Sequence, residues 1–227
     1  VLARSIDRAQ LVEYITRSGE QPATGFVPPG IPESADDSDF RAEGGVLVSP
    51  SRSAADELAA FEQALQSLDA EPVYSYDATE LQQSLAVALQ MMWRQNLGIE
   101  VDIQSHPARI LAQNKRDGEY GIARASWVAD YLDPMTFLAV FRSDGPNNTT
   151  GWANAEYDAL LDRAEAETDP ARRATLLHDA ERLLIEEMPI CPVYFYSIAY
   201  LQRPGLVGVE RNALGRIDFS KARWAPQ

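Results

Sequence analysis

The chain is poor in the residues that most reactions rely on. It holds one cysteine, Cys191, and two histidines, His106 and His178, in 227 residues. A lone cysteine excludes an internal disulfide and leaves the redox compartment open. Set in an apolar run, Cys191 reads as a small core residue. No H-E-x-x-H and no zinc-like Cys/His spacing occurs, so no metal or cofactor is expected, and each histidine reads as a surface or hydrogen-bonded residue rather than a ligand. The chain also lacks a G-x-S-x-G nucleophile elbow, a G-x-x-x-x-G-K-S/T phosphate loop and a G-x-G-x-x-G fingerprint, the parts that serine, phosphoryl and dinucleotide chemistry need. Basic charge is scarce. Lys and Arg total 20 against 34 Asp and Glu, a net charge of -14. Without clustered cations, neither a nucleic acid nor an anionic membrane surface suits as partner. The excess acid does favour solubility and attraction of cationic groups. No run nears the ~20 apolar residues of a membrane span, and no signal peptide is recognisable. The chain opens on Val1 and enters a helical pattern at once, from which a fragment or processed product is expected.

What is present describes an ordinary globular core. Hydrophobic residues make up 45% of the chain, enough for one large domain or two small ones. Leu2, Ile6, Leu11, Val12 and Ile15 recur near a 3.6-residue period and predict one amphipathic helix ending before Ser18-Gly19. Residues 22–45 carry Pro22, Pro28, Pro29, Pro32, several glycines and the acidic run Asp36-Asp37-Ser38-Asp39, and are expected to hold no regular element. A helix is predicted over 54–68 and a strand over 72–76. A long helix capped by Asp77 or Thr79 follows, with an apolar stripe through Leu81, Leu85, Ala88, Leu89, Met92 and Trp93. Met91, Met92 and Trp93 read as core. Gly98 stops that helix before a strand at 99–103 and a helix at 107–116. Further helices are predicted over 155–167 and 170–187, the second opened by Asp169-Pro170, then a strand over 190–196. Helices alternate with strands, so the class is α/β with a mixed sheet flanked by helices.

The stretch from Tyr120 to Pro134, Y-G-I-A-R-A-S-W-V-A-D-Y-L-D-P, carries the most chemistry. Its alternation up to Ala129 predicts a strand. Asp133 as N-cap and Pro134 at the first helical position open the next helix, so Asp130 falls in a strand-to-helix loop. Carboxyl ends of strands border the ligand crevice of open α/β sheets, which makes Asp130 and Trp127 candidate ligand contacts. An enclosed carboxylate needs a partner, and an ammonium group supplies one. Trp127 offers a broad apolar face, cation–π attraction and an N–H donor. Arg124 can meet a carboxylate in bidentate fashion. The alternative stays open that Trp127 is core, Arg124 bridges to a local acid and Asp130 caps its loop. Asp130 and Asp133 also make a poor glycosidase pair, since a capping Asp133 has its oxygens occupied by N–H donors.

Four blocks in order resemble a known family: A-R-S-I-D-R-A-Q-L-V at the start, M-W-R-Q-N-L-G-I-E-V from Met92, A-R-A-S-W-V-A-D-Y-L-D-P-M-T-F-L from Ala123, and N-N-T-T-G-W-A-N-A-E-Y-D-A-L-L-D-R-A from Asn147 with M-P-I-C-P-V-Y-F-Y after it. Together they resemble the extracytoplasmic peptide-binding proteins of ABC importers, the oligopeptide- and dipeptide-binding group. The resemblance implies a non-enzymatic protein of two lobes closing on a short peptide, a type II periplasmic-binding-protein-like fold. Residues 1–200 then make up most of the C-terminal lobe, and 201–227 return toward the other. It implies that Asp130 pairs with the peptide's α-ammonium beside Trp127. Main chain at Ser126 and Val128 runs along the peptide, Arg124 meets its C-terminal carboxylate at some peptide lengths, and Tyr196 faces the ligand. Ser126 stands where a glycine is frequent, and Val128 at a variable position. The implied partner is a membrane-embedded ABC permease, the location the periplasm or the extracytoplasmic membrane face, and the full-length state a monomer. A cationic or metal-chelate solute, or a ligand-presenting sensor role, are the alternatives.

Overall fold

The computed structural model describes residues 2–33, 38–49, 72–212 and 214–225. The expected first helix is divided into a 3-10 turn, Leu2–Ser5, a single turn α1 (Arg8–Gln10) and a π-helical segment, Leu11–Thr16. Asp7 causes the break: it is extended, and its side chain accepts the Gln10 N–H to start a new helix. Arg8 is 1% exposed. Its guanidinium donates to the carbonyls of Ala3, Ile6, Ser49 and Pro192, so carbonyl dipoles rather than a carboxylate satisfy this buried cation.

Residues 22–45 depart from expectation. They begin in strand β1 (Gln21–Pro22) and include α2 (Phe40–Gly44), capped by the Asp39 side chain accepting from Ala42 N–H. Ala23, Val27, Ile31 and Phe40 are buried. Proline and glycine prevent long elements here, but the apolar residues between them still reach the core. Glu181, fully buried, fixes the segment by accepting the N–H groups of Phe26 and Val27 at 2.8 and 2.9 Å and Arg41 Nη1 at 2.6 Å. The helix expected over 54–68 and the residues Asp36-Asp37 lie outside the described residues.

The central sheet is built from β2 (Val73–Asp77), β3 (Asp102–His106) and β4 (Ile122–Ala123), all parallel in the order β3-β2-β4. Helices α3 (Glu80–Leu97) and α4 (Ala108–Asp117) connect them and pack on the sheet. Thr79 caps α3 through its side chain. Gly98, at φ +70, ends it in the left-handed region that glycine enters without steric cost. Ile6, Leu11, Tyr74, Tyr76, Leu85, Leu89, Trp93, Ile99 and Val101 form the first core. Trp93 is core as expected, whereas Met92 is only partly buried and Met91 is 52% exposed: the period that buries 85, 89 and 93 turns 91 outward. The expected strand at 99–103 begins instead at Asp102, with Ile99 and Val101 buried as its lead-in. The strand expected over 120–129 shrinks to two residues because β4 is an edge strand and its partner β2 ends at Asp77.

Beyond it lie α5 (Met135–Leu138), a 3-10 turn Ala139–Phe141, α6 (Ala155–Ala166) and α7 (Pro170–Glu187). Asn154 and Asp169 cap the last two. These helices bury the second core, including Phe137, Leu138, Phe141, Tyr157, Leu161, Leu177 and Leu184, together with Val27, Ile31 and Phe40. His178 is not a surface residue. It stacks on Phe40 at 4.0 Å and faces Glu33 at 3.4 Å, and neither ring nitrogen makes a hydrogen bond among the described residues. The strand expected over 190–196 is β5 (Tyr194–Phe195), paired antiparallel with β1. Cys191 precedes it and is exposed as a residue rather than core, while its Sγ turns inward and accepts from Nη2 of the buried Arg8. The tail forms β6 (Leu206–Val207), β7 (Glu210–Arg211), β8 (Ile217–Asp218) and β9 (Arg223–Trp224), paired β6-β9 and β7-β8. The class is α/β, with the antiparallel pairs as ladders separate from the parallel sheet.

Candidate ligand-binding site

Two groups of candidate residues lie at the carboxyl edge of the parallel sheet and just past it. The first is built around Arg124, whose N–H donates to Ser75 O at 2.8 Å and extends the β2–β4 ladder by one bond. That bond fixes its Cα at the sheet edge, beside the end of β2. Nη1 lies 3.4 Å from Asp77 Oδ1, and Nη2 donates to the Tyr196 hydroxyl. Arg124 therefore does bridge to a local acid. Lys115 Nζ reaches the Arg124 carbonyl at 3.5 Å. Burial above all, then the positive charge of Arg124, holds the Lys115 amine below its ordinary range, while Asp77 opposes the shift. Tyr194, next to Tyr196, is pushed up to about 12, first by burial and then by Tyr196.

The second group hangs on Thr136, buried in α5. Trp127 Nε1–H donates to the Thr136 carbonyl at 2.8 Å, and the Asp130 N–H donates to Thr136 Oγ1 at 3.1 Å. Trp127 also packs against the second core. Its indole N–H is thus committed within the chain and is no donor to a ligand, which corrects the expectation for that atom and leaves the ring face. The Asp130 carboxylate is different. It is exposed, and among the described residues it enters no ion pair and accepts no hydrogen bond.

Asp133 shows what a committed acid looks like. Its Oδ1 accepts the Met135 N–H at 2.8 Å, and both oxygens take a bidentate contact from Arg173 at 2.8 and 2.9 Å. An Asp133 locked in this way cannot stand opposite Asp130 on a scissile bond, so the glycosidase geometry fails. Between the groups, 125–129 have no regular structure and, among the described residues, make no backbone–backbone hydrogen bond. Ser126 is exposed and Val128 is 68% exposed.

The structure thus joins Arg124 with Tyr196, and Trp127 with Asp130, while Ser126 and Val128 line the open stretch between. Asp77 and Thr136 were not foreseen as site residues. In the sequence Asp77 reads only as a possible helix cap, and Thr136 gives no signal, because its contact depends on a hydroxyl meeting a loop N–H. A cavity of about 280 Å³ is lined by Pro32, Glu33, Leu132, Asp133 and Arg173 among others, and none of the six candidate residues lines it.

With this geometry the chain belongs to the bacterial extracellular solute-binding proteins, family 5, whose middle-region model matches residues 2–149. It is 34% identical to the dipeptide-binding protein DppE of Bacillus subtilis (strain 168) over 98% of this chain and 41% of that protein. It is 33% identical to the oligopeptide-binding protein OppA of the same strain, over 97% and 41%. The substrate-binding domain of an oligopeptide ABC transporter from Bacillus anthracis str. Ames superimposes with a TM-score of 0.82 at 28% identity, covering 99% of this chain and 45% of that one. The chain therefore spans less than half the length of these relatives. Among the described residues no helix is long and apolar enough to cross a membrane.

Proposed function

We propose that this chain is the peptide-contacting part of an extracytoplasmic solute-binding protein that captures short peptides and delivers them to an ABC permease. The observation that carries the reading is the exposed Asp130 carboxylate, unpaired among the described residues, at the end of a stretch whose main chain makes no backbone–backbone hydrogen bond among them. A peptide's α-ammonium is the matching charge for Asp130. Its backbone can pair with 125–129 as an added strand, which gives affinity without reading side chains. The Trp127 face covers the amino end, and Tyr196 and Arg124 flank the other. Relatives more than twice its length, and exposed apolar residues in the tail such as Leu201, Phe219 and Trp224, support 201–227 as the return segment toward a second lobe. Closure of two lobes on the peptide then selects the form that the permease recognises. No chemistry on the ligand is involved.

The test is Asp130→Asn in the full-length protein, with trialanine binding followed by calorimetry. Truncating one partner of an enclosed charge pair costs about 2–5 kcal/mol, so affinity falls at least about thirtyfold. Circular dichroism should stay unchanged. N-acetyl-trialanine should lose as much on the unmodified protein. Equal affinity of the two proteins for trialanine would defeat the proposal.

A further inference from the structure

We infer that Asp77 is a specificity-determining residue: it neutralises Arg124 before a ligand arrives and so sets how weakly the site reads a peptide's carboxylate. The inference rests on the peptide-binding reading above. The two side chains are 18% and 24% exposed, and their charges lie 3.4 Å apart. Asp77 Oδ1 is buried and makes no hydrogen bond among the described residues. Arg124 is therefore its counter-charge, and a covered carboxylate that loses its counter-charge is strongly disfavoured. The guanidinium is engaged on two sides, by Asp77 at Nη1 and by the Tyr196 hydroxyl at Nη2.

A ligand carboxylate must then share Arg124 with Asp77. Such a group, on the far side of the guanidinium, stands roughly 6–7 Å from Asp77, where two partly screened unit charges alter an equilibrium about tenfold. Lys115 adds a second cation nearby, its amine held below its ordinary range by burial and by Arg124. The Tyr196 hydroxyl accepts from Arg124 and keeps its own proton to offer a ligand carbonyl. This end of the site therefore suits a neutral peptide carbonyl as well as a terminal carboxylate.

The experiment is calorimetry on the full-length protein with trialanine and tetraalanine, each as free acid and as C-terminal amide. The unmodified protein should bind acid and amide within about threefold of each other. Asp77→Asn, a near-isosteric change, should raise the acid-over-amide preference about tenfold for at least one length. Adding Arg124→Gln should remove that gain. Binding of both forms with a ratio that Asp77→Asn leaves unmoved overturns the inference alone, as does a strong acid preference in the unmodified protein. Failure of every peptide to bind overturns the proposed function and this inference with it.

Discussion

Arg124 and Asp130 bound the same short stretch, yet among the described residues one meets a counter-charge and the other does not. Arg124 leaves the sheet core, pinned by Ser75 and paired with Asp77. Asp130 is held only through its backbone, by a hydroxyl of the helical core, and its charge points to solvent. Asp133, a few residues on, has its charge fully consumed by Arg173. The contrast separates scaffold from site among similar residues. A charge that the fold completes stabilises the fold, whereas a charge that the fold supports but leaves unmet is available to something else.

The contrast can be tested hardest through what lies beneath it. Glu181→Ala strands Arg41 in the second core and strips the Phe26 and Val27 N–H groups of their acceptor. Breaking such a buried pair costs about 3–5 kcal/mol. Urea denaturation should show that loss, and hydrogen exchange should find α6 and α7 opening at lower free energy while α3 keeps its protection. If α3 loses protection equally, the two cores are one cooperative unit, and the ends do not rest on separate supports. The thirtyfold or greater effect of Asp130→Asn comes next, and the roughly tenfold shift in acid preference from Asp77→Asn after it. The first tests the unmet charge and the second the met one.

Much of this was legible in the sequence where the signal is local. The stripe through Leu85, Leu89 and Trp93, the caps at Thr79 and Asp169, and the stop at Gly98 all act within a turn or two of chain, and each marks an element that forms. The strand expected over 120–129 failed because alternation records which face a residue points to, not whether a neighbouring strand is there to pair with. Residues 22–45 depart from expectation for a related reason: Glu181, which holds Phe26, Val27 and Arg41, is distant in sequence. At the candidate site, Arg124, Trp127 and Asp130 stand out by residue type and by family resemblance, and Tyr196 by the resemblance alone. The Arg124–Asp77 pair does not. It needs the register that sets Ser75 against Ala123, and no local pattern encodes that register. Thr136 was hidden in the same way, its side chain reading as one more polar residue in a helix's first turn.

Thr136 also carries the finest test of the contrast. Its carbonyl takes the Trp127 indole N–H and its hydroxyl takes the Asp130 N–H, so one residue orients both parts of the proposed amino-end grip. Thr136→Val keeps the shape and the carbonyl and removes only the hydroxyl. The Asp130 N–H then loses a bond whose net value is about 1 kcal/mol, and it turns to water at an exposed loop. Trialanine affinity in the full-length protein should fall about fivefold, well short of the Asp130→Asn loss, because the carboxylate remains but is less well aimed. Thr136→Ser restores the hydroxyl and should recover affinity to within about twofold. The ratio of acid to amide binding should not move in either variant, since the Arg124–Asp77 pair rests on the sheet and shares no bond with Thr136. A Thr136→Val protein whose acid preference shifts together with its affinity would show that the two ends are coupled through 125–129, and that their charges cannot be assigned to separate supports.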